Sequence, residues 1–133
     1  MDLNFFKKIR ILDGGMGQEL LARGMNPKGT LWSASGLLNE KDHQLIIDTH
    51  LSFIKAGADV IVTNNFGCRR TRMQENKVND LFNYVNKKAC KLANKAKEIS
   101  KKKILIAGSL PPQNETYLAD KRRENLIEKN FYD

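Results

Sequence analysis

The sequence predicts an α/β protein built on a parallel sheet, and three observations carry that prediction. Three short apolar, β-branched runs occur at residues 9–12, 60–63 and 104–107, each stopped by glycine or small polar residues. Between them lie two longer stretches whose apolar residues recur at helical spacing. The order strand, helix, strand, helix, strand then calls for crossover helices joining parallel strands. The runs are apolar at successive positions instead of alternating, as expected of strands covered on both faces.

The first run, Ile9-Arg10-Ile11-Leu12, ends abruptly at Asp13-Gly14-Gly15-Met16-Gly17 and reads as a strand followed by a tight turn. Residues 18–23 form a short helix closed by Gly24, and residues 25–38 read as a long ordered loop. Asn39 is a helix cap, with Glu40 and Asp42 in the first turn, where the positive end of the helix dipole favours acids. Leu45, Ile46, Phe53 and Ile54, with Thr49 and His50 between them, mark one face of that helix, and Gly57 stops it. Val60-Ile61-Val62-Thr63 follows as the second strand and breaks at Asn64-Asn65-Phe66-Gly67. From Val78 to Ile99 the apolar residues Leu81, Phe82, Val85, Ala89, Leu92, Ala93 and Ala96 keep i, i+3, i+4, i+7 spacing, which predicts one long helix. Ile104-Leu105-Ile106-Ala107 is the third strand, closed by Gly108-Ser109-Leu110-Pro111-Pro112. Beyond it, Leu126, Ile127 and Phe131 suggest a further helix.

With 133 residues, 41% hydrophobic and 29% charged, the chain has the composition of one globular domain. No apolar run approaches a membrane span, and the first ten residues lack the apolar stretch of a secretory signal. Two cysteines, Cys68 and Cys90, make neither a disulfide framework nor a metal pair, which suggests a cytoplasmic protein with reduced thiols. The net charge of +8 invites a nucleic-acid reading, but it is local. Residues 87–103 hold eight lysines and one acid, Glu98, so they contribute +7 and everything else +1. Those lysines fall mainly between the apolar positions, on the solvated face of the second helix, and residues 87–103 hold no aromatic residue for base stacking. Nucleic acid and membrane are therefore not expected partners.

In parallel α/β proteins the working loops lie at the carboxyl ends of the strands. A dinucleotide loop is excluded because Leu20 stands where G-x-G-x-x-G needs its last glycine, and no phosphate-binding Gly-Lys-Ser/Thr loop occurs. What does occur is Asp13-Gly14-Gly15-Met16-Gly17-Gln18-Glu19-Leu20, then Leu31-Trp32-Ser33-Ala34, then Ala56-Gly57-Ala58-Asp59-Val60-Ile61-Val62-Thr63-Asn64, then Ala107-Gly108-Ser109-Leu110-Pro111-Pro112. Taken in order, these four segments resemble the homocysteine S-methyltransferase family, which includes betaine-, S-methylmethionine- and cobalamin-dependent members. Gln18 and Asn65 stand where the family often has threonine.

The resemblance implies a (β/α)8 barrel, a fold of about 250 residues, of which residues 1–133 would supply the N-terminal part, about three βα units. It also implies zinc-dependent methyl transfer to the homocysteine thiolate, giving methionine, with homocysteine and a methyl donor as partners. Zinc in the family is held by a cysteine of a later strand and a Gly-Gly-Cys-Cys segment. Neither is present in this sequence, so no metal ligand and no turnover by the chain alone are expected. Asp13 would accept hydrogen bonds from the substrate ammonium, while the Gly14 and Gly15 amides approach its carboxylate. Thr63, Asn64 and Ser109 would line the same mouth, and Phe66 would wall the methyl-donor side. Each position also has a plainer reading as a residue that closes a strand end or packs there. Cys68 has no partners at metal-ligand spacing, since His43 and His50 both lie on the first long helix, and it reads as an ordinary thiol. Cys90 reads as an edge-of-core packing residue. Two other classes stay open: a non-catalytic protein that oligomerises through its open sheet edges, and a basic nucleic-acid-binding module.

Overall fold

A computed structural model describes residues 3–111. Pro112 and the helix suggested around Leu126, Ile127 and Phe131 lie outside the described residues. The elements are α1 (Met16–Ala22), α2 (Glu40–Ala56), β1 (Val60–Val62), α3 (Arg70–Glu75), α4 (Phe82–Ser100) and β2 (Leu105–Ala107), with four 3-10 turns among them. β1 and β2 pair in parallel, in the register Val60 to Leu105, Ile61 to Ile106 and Val62 to Ala107.

The segment expected to form the first strand corrects the sequence reading. It joins the sheet through a single parallel bridge, Leu12 to Val60, and is not a strand of its own. The Asp13 amide donates to the Val60 carbonyl at 2.9 Å, and the Ile11 carbonyl accepts from the Asp59 amide at 2.8 Å. The Asp59 carboxylate adds a tie, accepting from the Ile11 amide at 3.0 Å. The physical reason for so little pairing is the open outer edge: Ile9 is 96% exposed and Leu12 62%. With one neighbour among the described residues, the segment lacks there the second ladder that holds a central strand.

α2 matches its expected limits because both ends are chemically marked. The Asn39 side chain accepts from the Lys41 amide, and Gly57 closes the helix at φ 112, a left-handed conformation that glycine adopts without strain. The second long helix begins later than the periodicity suggests. Val78 and Leu81 belong to a turn region with a 3-10 helix at Asn79–Leu81, and the α-helix itself starts at Phe82. α3 lies where no helix was predicted, and the expected loop at 25–38 contains 3-10 helices at Gly29–Leu31 and Ser33–Leu37.

The core lies where α2, α4 and the Ser33–Leu37 turn meet one another and β1. Ile46 and Ile54 of α2, Val85, Ala89, Ala93 and Ala96 of α4, Ile61 of β1, and Leu20, Leu37 and Met73 are buried. The three alanines of α4 keep that face shallow, which favours close packing of the helix on α2. Ile99, expected on the same face, is instead about half exposed in the last turn. Lys87, Lys91 and Lys95 face solvent, as the charge pattern predicts. Cys90 is exposed on α4, which corrects its reading as a packing residue: it lies next to Ala89 but one helical step off the buried face.

Candidate functional site

A cleft of about 750 Å³ opens at the carboxyl ends of the parallel segments. Its wall combines residues 12–14, Val62–Asn64, Phe66, Gly67 and Ser109 with residues 29–33, the start of α1 and Arg72 of α3. Asp13, Gly14, Thr63, Asn64, Phe66 and Ser109, six of the seven residues singled out from the sequence, are therefore brought together. Gly15 is the exception. It stands beside the cleft as the N-cap of α1, its carbonyl accepting from the Glu19 amide at 3.1 Å.

Asp13 is half-buried, and its Oδ2 accepts from the Val62 amide at 2.8 Å. Desolvation raises its pKa above the ordinary aspartate value, and backbone hydrogen bonds, Val62 first, partly oppose the rise. A carboxylate can accept about four hydrogen bonds, so the tie to β1 leaves acceptor capacity toward the cleft. Gly14 is fitted tightly: a Cβ there would sit 2.9 Å from Cε1 of Phe53.

Thr63 and Asn64 are buried, and their polar atoms are used within the protein. Thr63 Oγ1 donates to Asn65 Oδ1 at 2.6 Å and accepts from the Ser109 amide at 3.0 Å. Asn65 Nδ2 donates to Asn86 Oδ1 at 2.8 Å and to the Ser109 carbonyl at 3.3 Å. This bracket fastens the ends of β1 and β2 to α4, so the mouth is held by hydrogen bonds as well as by packing. Asn65 offers two donors and an acceptor, which a threonine in its place would not. Asn64 Nδ2 donates to the Ser33 carbonyl at 3.2 Å and its Oδ1 accepts from Ser33 Oγ at 3.4 Å. That pair fixes the 29–33 segment against the strand end.

Sequence reasoning missed Trp32, Gly17 and Arg72 as cleft residues. Trp32 has φ 50, a conformation uncommon for a non-glycine residue. Its ring lies over Gly17, where a Cβ would come within 2.6 Å of Cζ3. The Leu31-Trp32-Ser33-Ala34 segment was visible as a motif, but nothing in it says that the chain folds back over α1. Arg72 was hidden because α3 itself was not foreseen.

Among the described residues no three His, Cys, Asp or Glu side chains come together to hold a metal ion. Cys68 is buried, and desolvation pushes its thiol pKa up to about 12, the opposite of what a thiolate ligand needs. His50 is buried on α2 and His43 contacts the Leu37 carbonyl at 3.1 Å, so neither meets Cys68 in a ligand set. Among the described residues no helix is long and apolar enough to cross a membrane.

The fold defines a parallel α/β protein with a cleft assembled from strand-end loops. The homocysteine S-methyltransferase family model matches residues 10–132, and the chain belongs to that family of methyltransferases. The Homocysteine S-methyltransferase of Escherichia coli (strain K12) is 34% identical over 123 residues, covering 84% of this chain and 37% of its own length. Homocysteine S-methyltransferase 1 of Saccharomyces cerevisiae is 30% identical over 76 residues, 52% of this chain and 24% of that protein. The crystal structure of the homocysteine methyltransferase MmuM from Escherichia coli, metallated form, superposes with a TM-score of 0.70 at 30% identity, covering 83% of this chain and 41% of that one. The chain thus spans well under half the length of these relatives.

Proposed function

We propose that this chain forms the homocysteine-binding N-terminal part of a homocysteine S-methyltransferase, the first βα units of a (β/α)8 barrel. The observation that supports this most directly is the clustering of Asp13, Gly14, Thr63, Asn64, Phe66 and Ser109 around one cleft at the strand ends, in a chain of this family. In this reading Asp13 holds the ammonium of homocysteine. Asp13 keeps its Val62 hydrogen bond while doing so, and that bond fixes the carboxylate's direction. Thr63, Asn64 and Ser109 shape the mouth through the bracket and the Ser33 pair, and Phe66, 44% exposed, supplies an apolar wall toward the methyl donor. Gly14 and Gly15 give backbone access beside the carboxylate end.

When bound, zinc would convert the homocysteine thiol to a thiolate, the nucleophilic form. The described residues do not fit a zinc site. In this reading the metal ligands therefore lie outside them, and the chain's own task is binding and orientation. Methyl transfer by the chain alone is not expected.

Asp13→Asn tests the reading. Asparagine keeps the size and can still accept from the Val62 amide, but it removes the charge that pairs with an ammonium. Calorimetric titration with L-homocysteine should show a loss of about 1.5–3 kcal/mol, roughly ten- to over a hundredfold in Kd, with melting temperature little changed. Unchanged affinity with a lowered melting temperature would make Asp13 a turn residue and remove the best position of the assignment.

A further inference from the structure

We propose that the end of the molecule opposite the cleft is a docking face for an anionic membrane surface, which the chain touches from one side without crossing it. The proposal is independent of what the cleft binds. Parallel strands begin at the same end, so the fold gathers there residues that the sequence scatters. Lys7 and Lys8 precede the 9–12 segment, Lys55 lies in the last turn of α2 ahead of β1, and Lys101, Lys102 and Lys103 lead into β2. All six are exposed.

Hydrogen bonds knit this end together. Arg10 Nε donates to the Phe5 carbonyl at 2.7 Å, and the guanidinium lies 4.0 Å from the Phe5 ring centroid. Arg10 also pairs with Asp59 at 3.5 Å, and the Asp59 carbonyl accepts from the Leu105 amide at 2.9 Å. Lys102 Nζ donates to the Ile54 carbonyl at 3.1 Å, which seats residues 101–103 against the end of α2. Of the acids among the described residues, those at this end are Asp59, paired with Arg10, and Glu98, the sequence neighbour of Lys97. The six lysines are thus left as a net positive surface.

Charge alone would fit any polyanion, and the apolar side chains discriminate. The 3-10 helix at Leu3–Lys7 repeats every three residues, so Leu3 and Phe6 share one side of it, and Ile9 follows at the same spacing. Leu3 is 73% exposed and Phe6 53%, and Ile9 and Ile99 are exposed with them. Large apolar side chains set among lysines suit the headgroup boundary of a bilayer. The apolar groups leave water there, while the lysine stems carry their ammonium groups to the lipid phosphates and carboxylates. A nucleic acid would use the lysines but leave Leu3, Ile9 and Ile99 in water. Its bases stack on aromatic rings and guanidinium planes, and here the Arg10 guanidinium and the Phe5 ring already lie on each other. The sequence expectation of no membrane partner follows from the apolar runs and from the outer lysines of α4, and neither reports which residues meet at the strand starts. Docked by this end, the chain would hold its cleft, at the carboxyl ends, away from the membrane.

The test is sedimentation of the 133-residue chain with vesicles of mixed phosphatidylcholine and phosphatidylserine, against vesicles of phosphatidylcholine alone. Wild type should bind the mixed vesicles and not the neutral ones. Replacing Lys8, Lys101 and Lys103 with glutamine should weaken binding by about fivefold per lysine, on the order of a hundredfold together. The same replacement at Lys88, Lys91 and Lys95 removes equal charge from the outer face of α4 and should weaken it far less. Phe6→Ser should weaken vesicle binding by about tenfold while leaving affinity for a DNA duplex unchanged. Trp32, the single tryptophan, lines the cleft, so brominated lipid should not quench its emission in the bound wild type. Amide spectra show whether each variant keeps the fold; should one unfold, the wild-type vesicle comparison and Trp32 emission decide. No binding to the mixed vesicles, equal losses in the two lysine triples, or quenching of Trp32 would overturn the proposal. A DNA duplex bound more tightly than the vesicles, with Phe6→Ser affecting neither, would overturn it in favour of a nucleic-acid surface.

Discussion

His50 shows how much one buried side chain can set. It is fully buried on α2, and among the described residues neither ring nitrogen has a hydrogen-bond partner. Desolvation lowers its pKa from 6.5 to about 4, so the folded protein holds it neutral. Between those two values the unfolded chain binds a proton that the folded chain does not, so stability rises with pH across the window. The His50 contribution is complete above about pH 6.5 and is lost as pH falls toward 4, a swing of about 3 kcal/mol. Thermal melts from pH 7.5 to 4 should show His50→Leu losing less stability on acidification than wild type; parallel acid limbs would show that the ring is solvated. The two thiols differ in the same physical way. Cys68 is buried with a raised pKa and Cys90 is exposed, so a thiol reagent should label Cys90 in the native protein and Cys68 only on unfolding. Fast labelling of both would contradict the described core.

At the scale of elements, α2 illustrates a helix whose ends are specified by single residues. Asn39→Ala removes the side-chain acceptor for the Lys41 amide and should lower stability by about 1 kcal/mol in chemical denaturation. Gly57→Ala should cost about 1–2 kcal/mol because φ 112 is unfavourable with a Cβ, although the space there is open. α4 should behave oppositely: replacing Lys88, Lys91 and Lys95 with glutamine should change stability by less than about 1 kcal/mol, since isolated surface charges contribute little. Lys88, whose Nζ lies 5.1 Å from the Tyr84 ring centroid, is the one expected to register. These helices were legible in the sequence because cap, periodicity and stop agree. α3 was not, because at six residues it is too short to show a period, and its only fully buried side chain is Met73. The 9–12 segment was over-read for a different reason: β-branching signals a strand, but pairing depends on neighbours that local sequence does not encode. The site followed the same rule. Strand-end residues were found from position together with the family resemblance, whereas Trp32 and Arg72 reach the cleft through the fold of a loop and of an unforeseen helix.

For the whole molecule, the decisive fact is that the chain matches well under half the length of its relatives while keeping the cleft together. The sheet edge at residues 9–12 is open, and Ile9 and Leu12 expose apolar surface along it. Edges of that kind invite pairing, so light scattering should show concentration-dependent association that Ile9→Lys reduces. A monomer at all concentrations would mean that the edge is protected in solution. The central claim, however, is that the cleft at the strand ends receives homocysteine. The most direct measurement is an amide chemical-shift titration of the 133-residue chain with L-homocysteine. The account predicts saturable shifts concentrated at Asp13, Gly14, Thr63, Asn64 and Ser109, with the lysine face of α4 unmoved. No shifts up to the ligand's solubility limit, or shifts centred away from these residues, would contradict it.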